Sequence, residues 1–158
     1  MSSNFEDVGK FHEKFGLPVS SPTLPVHSLD VNTAQYRLKF LKEELLEYEE
    51  AMERGDLAEA FDALMDLAWV AMGTAHYMGL PWDEGWAEVR RANMDKVHAS
   101  ELPAGVHKAW RGSGDIAKPT EWVAPRIAEV ITAHNHGART EPPGGIIGAG
   151  FTIPGEKP

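Results

Sequence analysis

Residues 42–96 decide the fold, and they hold three unlike segments: KEELLEYEE (42–50), EAFDALMDLAWVAMG (59–73) and RRANMDK (90–96). Side chains three or four residues apart are neighbours on a helix. Glu44 and Glu47 therefore share a face with Glu43 at its edge, and Glu59, Asp62 and Asp66 share another. Asp62 and Asp66 lie in a run, 61–78, that is apolar on nearly every side, which predicts a buried helix. A buried carboxylate is costly unless it is paired or bound to a metal, and no Lys or Arg stands between Gly55 and Arg90. The pattern therefore calls for a cation from outside the segment. Carboxylate oxygens as the donors suit Mg²⁺ or Mn²⁺ better than zinc. Two like charges about 5 Å apart repel by roughly 3 kcal/mol at an effective dielectric of about 20. Four or five converging acids thus need a metal or proton uptake.

The 158 residues, 42% of them hydrophobic, suffice for one domain with a core of its own. A net charge of −9 argues against general affinity for nucleic acid or an anionic membrane. With no cysteine there is neither a disulfide framework nor thiolate chemistry. The first 16 residues carry acids and no apolar signal core, and no run reaches the ~18 apolar residues of a membrane span. A cytoplasmic protein is the expectation.

Working outward, Phe5, Val8, Phe11 or His12, and Phe15 predict a short helix over 5–15, stopped by Gly16 and Pro18. A proline-rich connector covers 17–29. Asn32 with Gln35 predicts a capping box for a long helix reaching about Glu53, ended by Gly55. Asp56 opens the next helix with Glu59 at its third position, so Glu59 reads equally as a cap partner or a ligand. That helix runs to about Met78, and Pro81 suits the first turn of a third over 82–97. Trp86, Val89, Asn93 and Lys96 make one stripe there, and its polar end suits a phosphate with its sugar or base. Residues 112–122 read as a turn and a short extended piece, and 125–133 as a last helix. The Gly/Pro-rich tail, 134–158, has too few periodic apolar residues for an element of its own, and an ordered tail would need a surface such as a neighbouring subunit. The division is therefore 1–133 as the helical domain and 134–158 as tail. His12 and His76 read as packing residues, and the five tryptophans as core or interface residues.

Taken together these residues resemble the MazG-like all-α nucleoside triphosphate pyrophosphatases, related to dimeric dUTPases and to phosphoribosyl-ATP pyrophosphohydrolase. The family hallmark is ExxE followed by ExxD. Glu44-Leu-Leu-Glu47 resembles the first half; Glu59-Ala-Phe-Asp62 or the pair Asp62 and Asp66 resembles the second, with the DLAWVAMGTAHYMGL that follows favouring Asp66. Asn93 and Lys96 are similar to a downstream Asn and Lys of the family, and GDIAKPTEWVAP (114–125) to a later segment that adds Lys118 as a phosphate contact. The resemblance spans roughly 11–131. It implies an all-α helical bundle completed by dimerisation or tetramerisation. It also implies Mg²⁺-dependent hydrolysis of a (deoxy)nucleoside triphosphate to the monophosphate and pyrophosphate.

On that reading Glu44, Glu47, Asp62 and Asp66, with Glu59, hold metal, and Glu43 or Glu44 takes a proton from water. Asn93, Lys96, Lys118 and Arg90 grip phosphate or sugar, and Trp69 faces a base, a purine and guanine by preference. The alternatives are a non-catalytic helical interaction module, or a pyrophosphohydrolase of a nucleotide-like biosynthetic intermediate.

Overall fold

A computed structural model describes residues 2–103 and 115–140. The expectations for 141–158 and for the first three residues of the 112–122 piece lie outside the described residues. The described chain is mainly helical: α1 (Asn4–Phe15), α2 (Val31–Arg54), α3 (Leu57–Met78), α4 (Trp82–Met94), strand β1 (Val97–His98), a 3-10 turn (Ala99–Glu101), β2 (Ile116–Ala117) and α5 (Ile127–Thr140). By packing it divides into two units. One comprises the described residues up to Trp82 and from Ala133 onward, and the other those between Asp83 and Thr132. None of the helices is long and apolar enough to cross a membrane among the described residues.

The first unit is built on the hairpin of α2 and α3. Gly55 takes the left-handed conformation (φ 68°) that closes α2, and its N–H bonds to Met52 O. Asp56 then caps α3 through Glu59 N–H at 3.2 Å. Alanines are among the most buried residues of the two helices: Ala51 on α2, and Ala60, Ala63 and Ala75 on α3. The one large side chain with no exposure at all among the described residues is Val8 of α1. α1 packs on α3. Ser3 and Glu6 close a capping box at its start, a Ser-x-x-Glu signal that was present in the sequence.

Three expectations are corrected. The cap of α2 is Asp30, not Asn32: its carboxylate accepts from Thr33 N at 3.0 Å and from Thr33 Oγ1 at 2.6 Å, which starts the helix at Val31. α5 continues past 133 to Thr140, because its last turns gain long-range partners. Asn135 Oδ1 accepts from Val26 N at 2.8 Å, and His134 Nε2 donates to Leu24 O at 2.9 Å. The third correction concerns α3, which is not covered on every side. Phe61 is 62% exposed, and Leu57, Leu64 and Met65 are exposed with it. Among the described helices, α2 and α1 make the main contacts with this helix, which is apolar around most of its circumference.

In the second unit α4 ends at Met94, so Lys96 lies in the turn after the helix rather than on it. Lys96 N–H bonds back to Asn93 O, and the chain enters the ladder Val97↔Ala117, His98↔Ile116. Glu88 ties the unit together: Arg91 and Arg126 both bond to its carboxylate at 3.0 Å. Those two guanidiniums hold the Glu88 carboxyl down at about 2. Trp86 is 62% exposed, so of the core and interface roles expected for the tryptophans it does not take the core one in this chain.

Candidate active site

The acids of α2 and α3 meet around Glu44. Burial pushes its carboxyl up from the ordinary value, and Glu47, Asp66, Glu43 and Asp62 push it further in the same direction. Four neighbouring acids on two helices therefore act on this one group. No Lys or Arg among the described residues pairs with Glu44, Glu47, Asp62 or Asp66. Glu43 is held by Lys39 at 3.3 Å, which leaves Glu44 the better proton acceptor of the two candidates.

Asp62 and Asp66 are exposed in the single chain rather than buried, and Glu47 with them. Their side of α3 is the side left without cover, so they avoid the desolvation that the apolar sequence pattern suggested. Among the described residues no three carboxylates converge on one point as a ready-made metal cage. The donor set still fits a hard divalent cation: every candidate is a carboxylate, on two packed helices, with mutual repulsion a cation would relieve.

Glu59 lies outside the group that raises Glu44. Its capping-box reading is only half realised. Asp56 accepts from the Glu59 N–H, but the Asp56 N–H goes to Ala51 O at 2.9 Å instead of to the Glu59 carboxylate. Trp69 stands one turn beyond Asp66, packed edge-on by Phe11 of α1 at 5.5 Å between ring centres and still 38% exposed.

Within the second unit, Asn93 and Lys96 come together: Lys96 Nζ donates to Asn93 Oδ1 at 2.6 Å, while Asn93 Nδ2 donates to Val89 O at 2.9 Å. Continuing the β1–β2 register by one position sets Lys96 opposite Lys118. Lys118 holds its ammonium 4.0 Å over the Trp122 ring, and Trp122 Nε1–H donates to Ala92 O, anchoring that platform on α4. Arg90 is exposed, while its neighbour Arg91 is committed to Glu88 and Asp95.

Two residues escaped the sequence reading. Trp122 is one; its only signal was proximity to Lys118. The other is Arg37, on α2 seven residues before Glu44 and so on the same stripe, a spacing the sequence displayed. It is buried, donates to Thr74 Oγ1 at 3.1 Å and to Val70 O at 2.9 Å, and lies against Tyr77 and Phe40.

The comparison with known families covers α2 and α3 as well. The model of the phosphoribosyl-ATP pyrophosphohydrolase family matches residues 8–93, more than half the chain, and the chain belongs to that family. A protein of Acanthamoeba polyphaga mimivirus, itself described as uncharacterized, is 33% identical over 85 residues. That alignment takes in 52% of this chain and 33% of the viral protein, so the chain spans about a third of the relative's length.

Proposed function

We propose that this chain is a divalent-metal-dependent pyrophosphohydrolase that cleaves a (deoxy)nucleoside triphosphate, a purine nucleotide by preference, to the monophosphate and pyrophosphate. The observation that carries the reading is the Glu44 carboxyl, raised by burial and then by four acids from two helices, in a chain of the phosphoribosyl-ATP pyrophosphohydrolase family. Glu44, Glu47, Asp62 and Asp66 would hold Mg²⁺ or Mn²⁺, with Glu59 at the edge of the set. The metal supplies charge neutralisation on the phosphates and a more acidic water. Glu44, its carboxyl raised by burial and by neighbouring acids, is suited to accept the proton that water loses on attack. Asn93, Lys96 and Lys118, with Arg90, would neutralise phosphate charge or bond the sugar, and Trp69 would stack on the base.

The exposed apolar residues of α2 and α3, with Leu45, Leu46, Met52, Phe61 and Met65 among them, support a homodimer or homotetramer that covers this face. A second reading takes its support from the family description: the substrate is phosphoribosyl-ATP, and the products phosphoribosyl-AMP and pyrophosphate.

Pyrophosphate release from a panel of nucleoside triphosphates, deoxynucleoside triphosphates and phosphoribosyl-ATP, with Mg²⁺ and with EDTA, tests both readings. Release from one substrate class only, abolished by EDTA, is expected. No release from any substrate would point to the non-catalytic module, and metal-independent release would keep the enzyme but remove the metal from the proposal.

A further inference from the structure

The first unit buries a cluster of basic groups where α1 meets α3. His12 is 2% exposed, His76 4% and Arg37 9%. Hydrogen bonds fix the protonation of both imidazoles. The Ser20 N–H reaches His76 Nδ1 at 3.2 Å, and a backbone N–H can only donate, so Nδ1 is the acceptor. His76 Nε2 therefore carries the proton and donates to Phe5 O at 3.0 Å. His12 donates from Nδ1 to Pro18 O, so in the neutral ring Nε2 carries no proton. That nitrogen and the guanidinium border the same spot: His12 Nε2 and Arg37 Nη2 lie 3.0 and 2.9 Å from the point where a Cβ on Gly73 would stand. The two imidazole centres are 5.2 Å apart, and Phe5 stacks on His76 at 3.8 Å.

No carboxylate among the described residues answers this charge. α2 presents Arg37 and Tyr36, α3 presents His76 and Tyr77, and the connector presents only the Pro18 carbonyl and Ser20. On α1 itself, Glu6 is bonded to the Ser3 N–H and Asp7 to Ser2 and Lys10, and both are exposed, as is Glu13. A proton on His12 Nε2 would add charge beside a buried guanidinium, and one on His76 Nδ1 would displace the Ser20 N–H and leave only Ser20 Oγ, at 3.0 Å, to accept it.

We propose that α1 is an acid-released latch: proton uptake by His12 and His76 undocks it from α3 and uncovers the Trp69, Gly73 and His76 stripe. Burial lowers the proton affinity of both rings, and for His12 the charges of His76 and Arg37 lower it further. A histidine depressed in the docked state favours docking above its free value of about 6.5 and loses that advantage as pH falls below it. Each proton taken up only by the released form shifts the docking equilibrium by up to about tenfold per pH unit, so two give up to about a hundredfold. The α2–α3 seam contains neither histidine and stays closed.

Amide hydrogen exchange on the full chain, corrected for intrinsic rates, reads the latch at about pH 7.5 and about pH 5.5. Protection across residues 4–15 is expected to fall by about tenfold or more relative to α2. In a double variant, His12→Asn with His76→Gln, which keeps each donated hydrogen bond without a titrating ring, that fall should disappear. Equal behaviour of α1 and α2 in the wild type overturns the proposal, and so does a double variant that keeps the wild-type fall. Should the double variant not fold, imidazole NMR titration of the wild type decides. Both rings must protonate below the free-histidine value together with loss of α1 protection; protonation at or above it with α1 still docked overturns the latch.

Discussion

At Gly73 the absence of a side chain is a packing requirement. A methyl group there would stand 2.9 Å from Arg37 Nη2, closer than real contacts allow, and 3.0 Å from His12 Nε2, so the hydrogen-bonded guanidinium and the buried ring would have to shift. Alanine gains about 1 kcal/mol in intrinsic helix propensity, yet overpacking a filled site typically costs about 1–3 kcal/mol. Gly73→Ala is therefore expected to lower the melting temperature, whereas Gly85→Ala, with open space at its Cβ, should not. Glu44 gives the opposite sign. Its carboxyl is raised in the folded chain, so its ionisation works against folding once pH exceeds the ordinary carboxyl value. Glu44→Gln should raise metal-free stability at neutral pH, lose that gain as pH falls below about 4.5, and abolish pyrophosphate release. Melting curves in EDTA across pH, paired with the release assay, check both halves. Asp66→Asn should likewise stop release while moving the metal-free melting point little, since Asp66 is exposed.

Among the elements, the helices with the clearest punctuation were the most legible in the sequence. Gly16, Gly55 and Gly79 end α1, α2 and α3 in the left-handed conformation, and each was readable as a stop. The start of α2 was less so. Asp30 with Thr33 and Asn32 with Gln35 offer similar cap chemistry, and only the reach of the Asp30 carboxylate to Thr33 decides between them. The last turns of α5 could not be read, because their partners, Leu24 and Val26, lie more than a hundred residues away in sequence. In the candidate site the acid stripes followed from spacing on single helices. The primacy of Glu44 and the burial of Arg37 depend on which face of α2 meets α3, which spacing alone does not state. In the second unit the Glu88 hub gives a test of its own. Its carboxyl is depressed to about 2, so the contribution of its bonds to Arg91 and Arg126 is complete above the usual carboxylate value and is lost as pH falls toward about 2. Glu88→Gln should increase amide exchange in the first turn of α5, where Arg126 N–H also reaches Glu88 at 3.2 Å.

For the whole molecule, metal and self-association are the quantities to measure. A cation bound only by the folded carboxylate cluster stabilises by RT ln(1 + [L]/Kd), about 2.7 kcal/mol at 100 times Kd. Millimolar Mg²⁺ should thus raise the melting temperature above its value in EDTA, and superimposable curves would remove the metal from the proposal. Light scattering at micromolar protein is expected to show at least a dimer, since so many large apolar side chains of α2 and α3 lie exposed on one chain; a stable monomer would contradict this. The buried alanines of α2 and α3 bear on how the sequence tolerates change. In most small domains bulky aliphatic positions are the constrained ones, but on these two helices Ala51, Ala60, Ala63 and Ala75 are among the most buried. A library randomised at those four sites should return only glycine, alanine and serine. One randomised at Leu38, Leu45 and Leu57, all exposed on the single chain, should discriminate only to the extent that a second copy rests on them. The pattern of permitted residues would then trace the subunit contact from genetics alone.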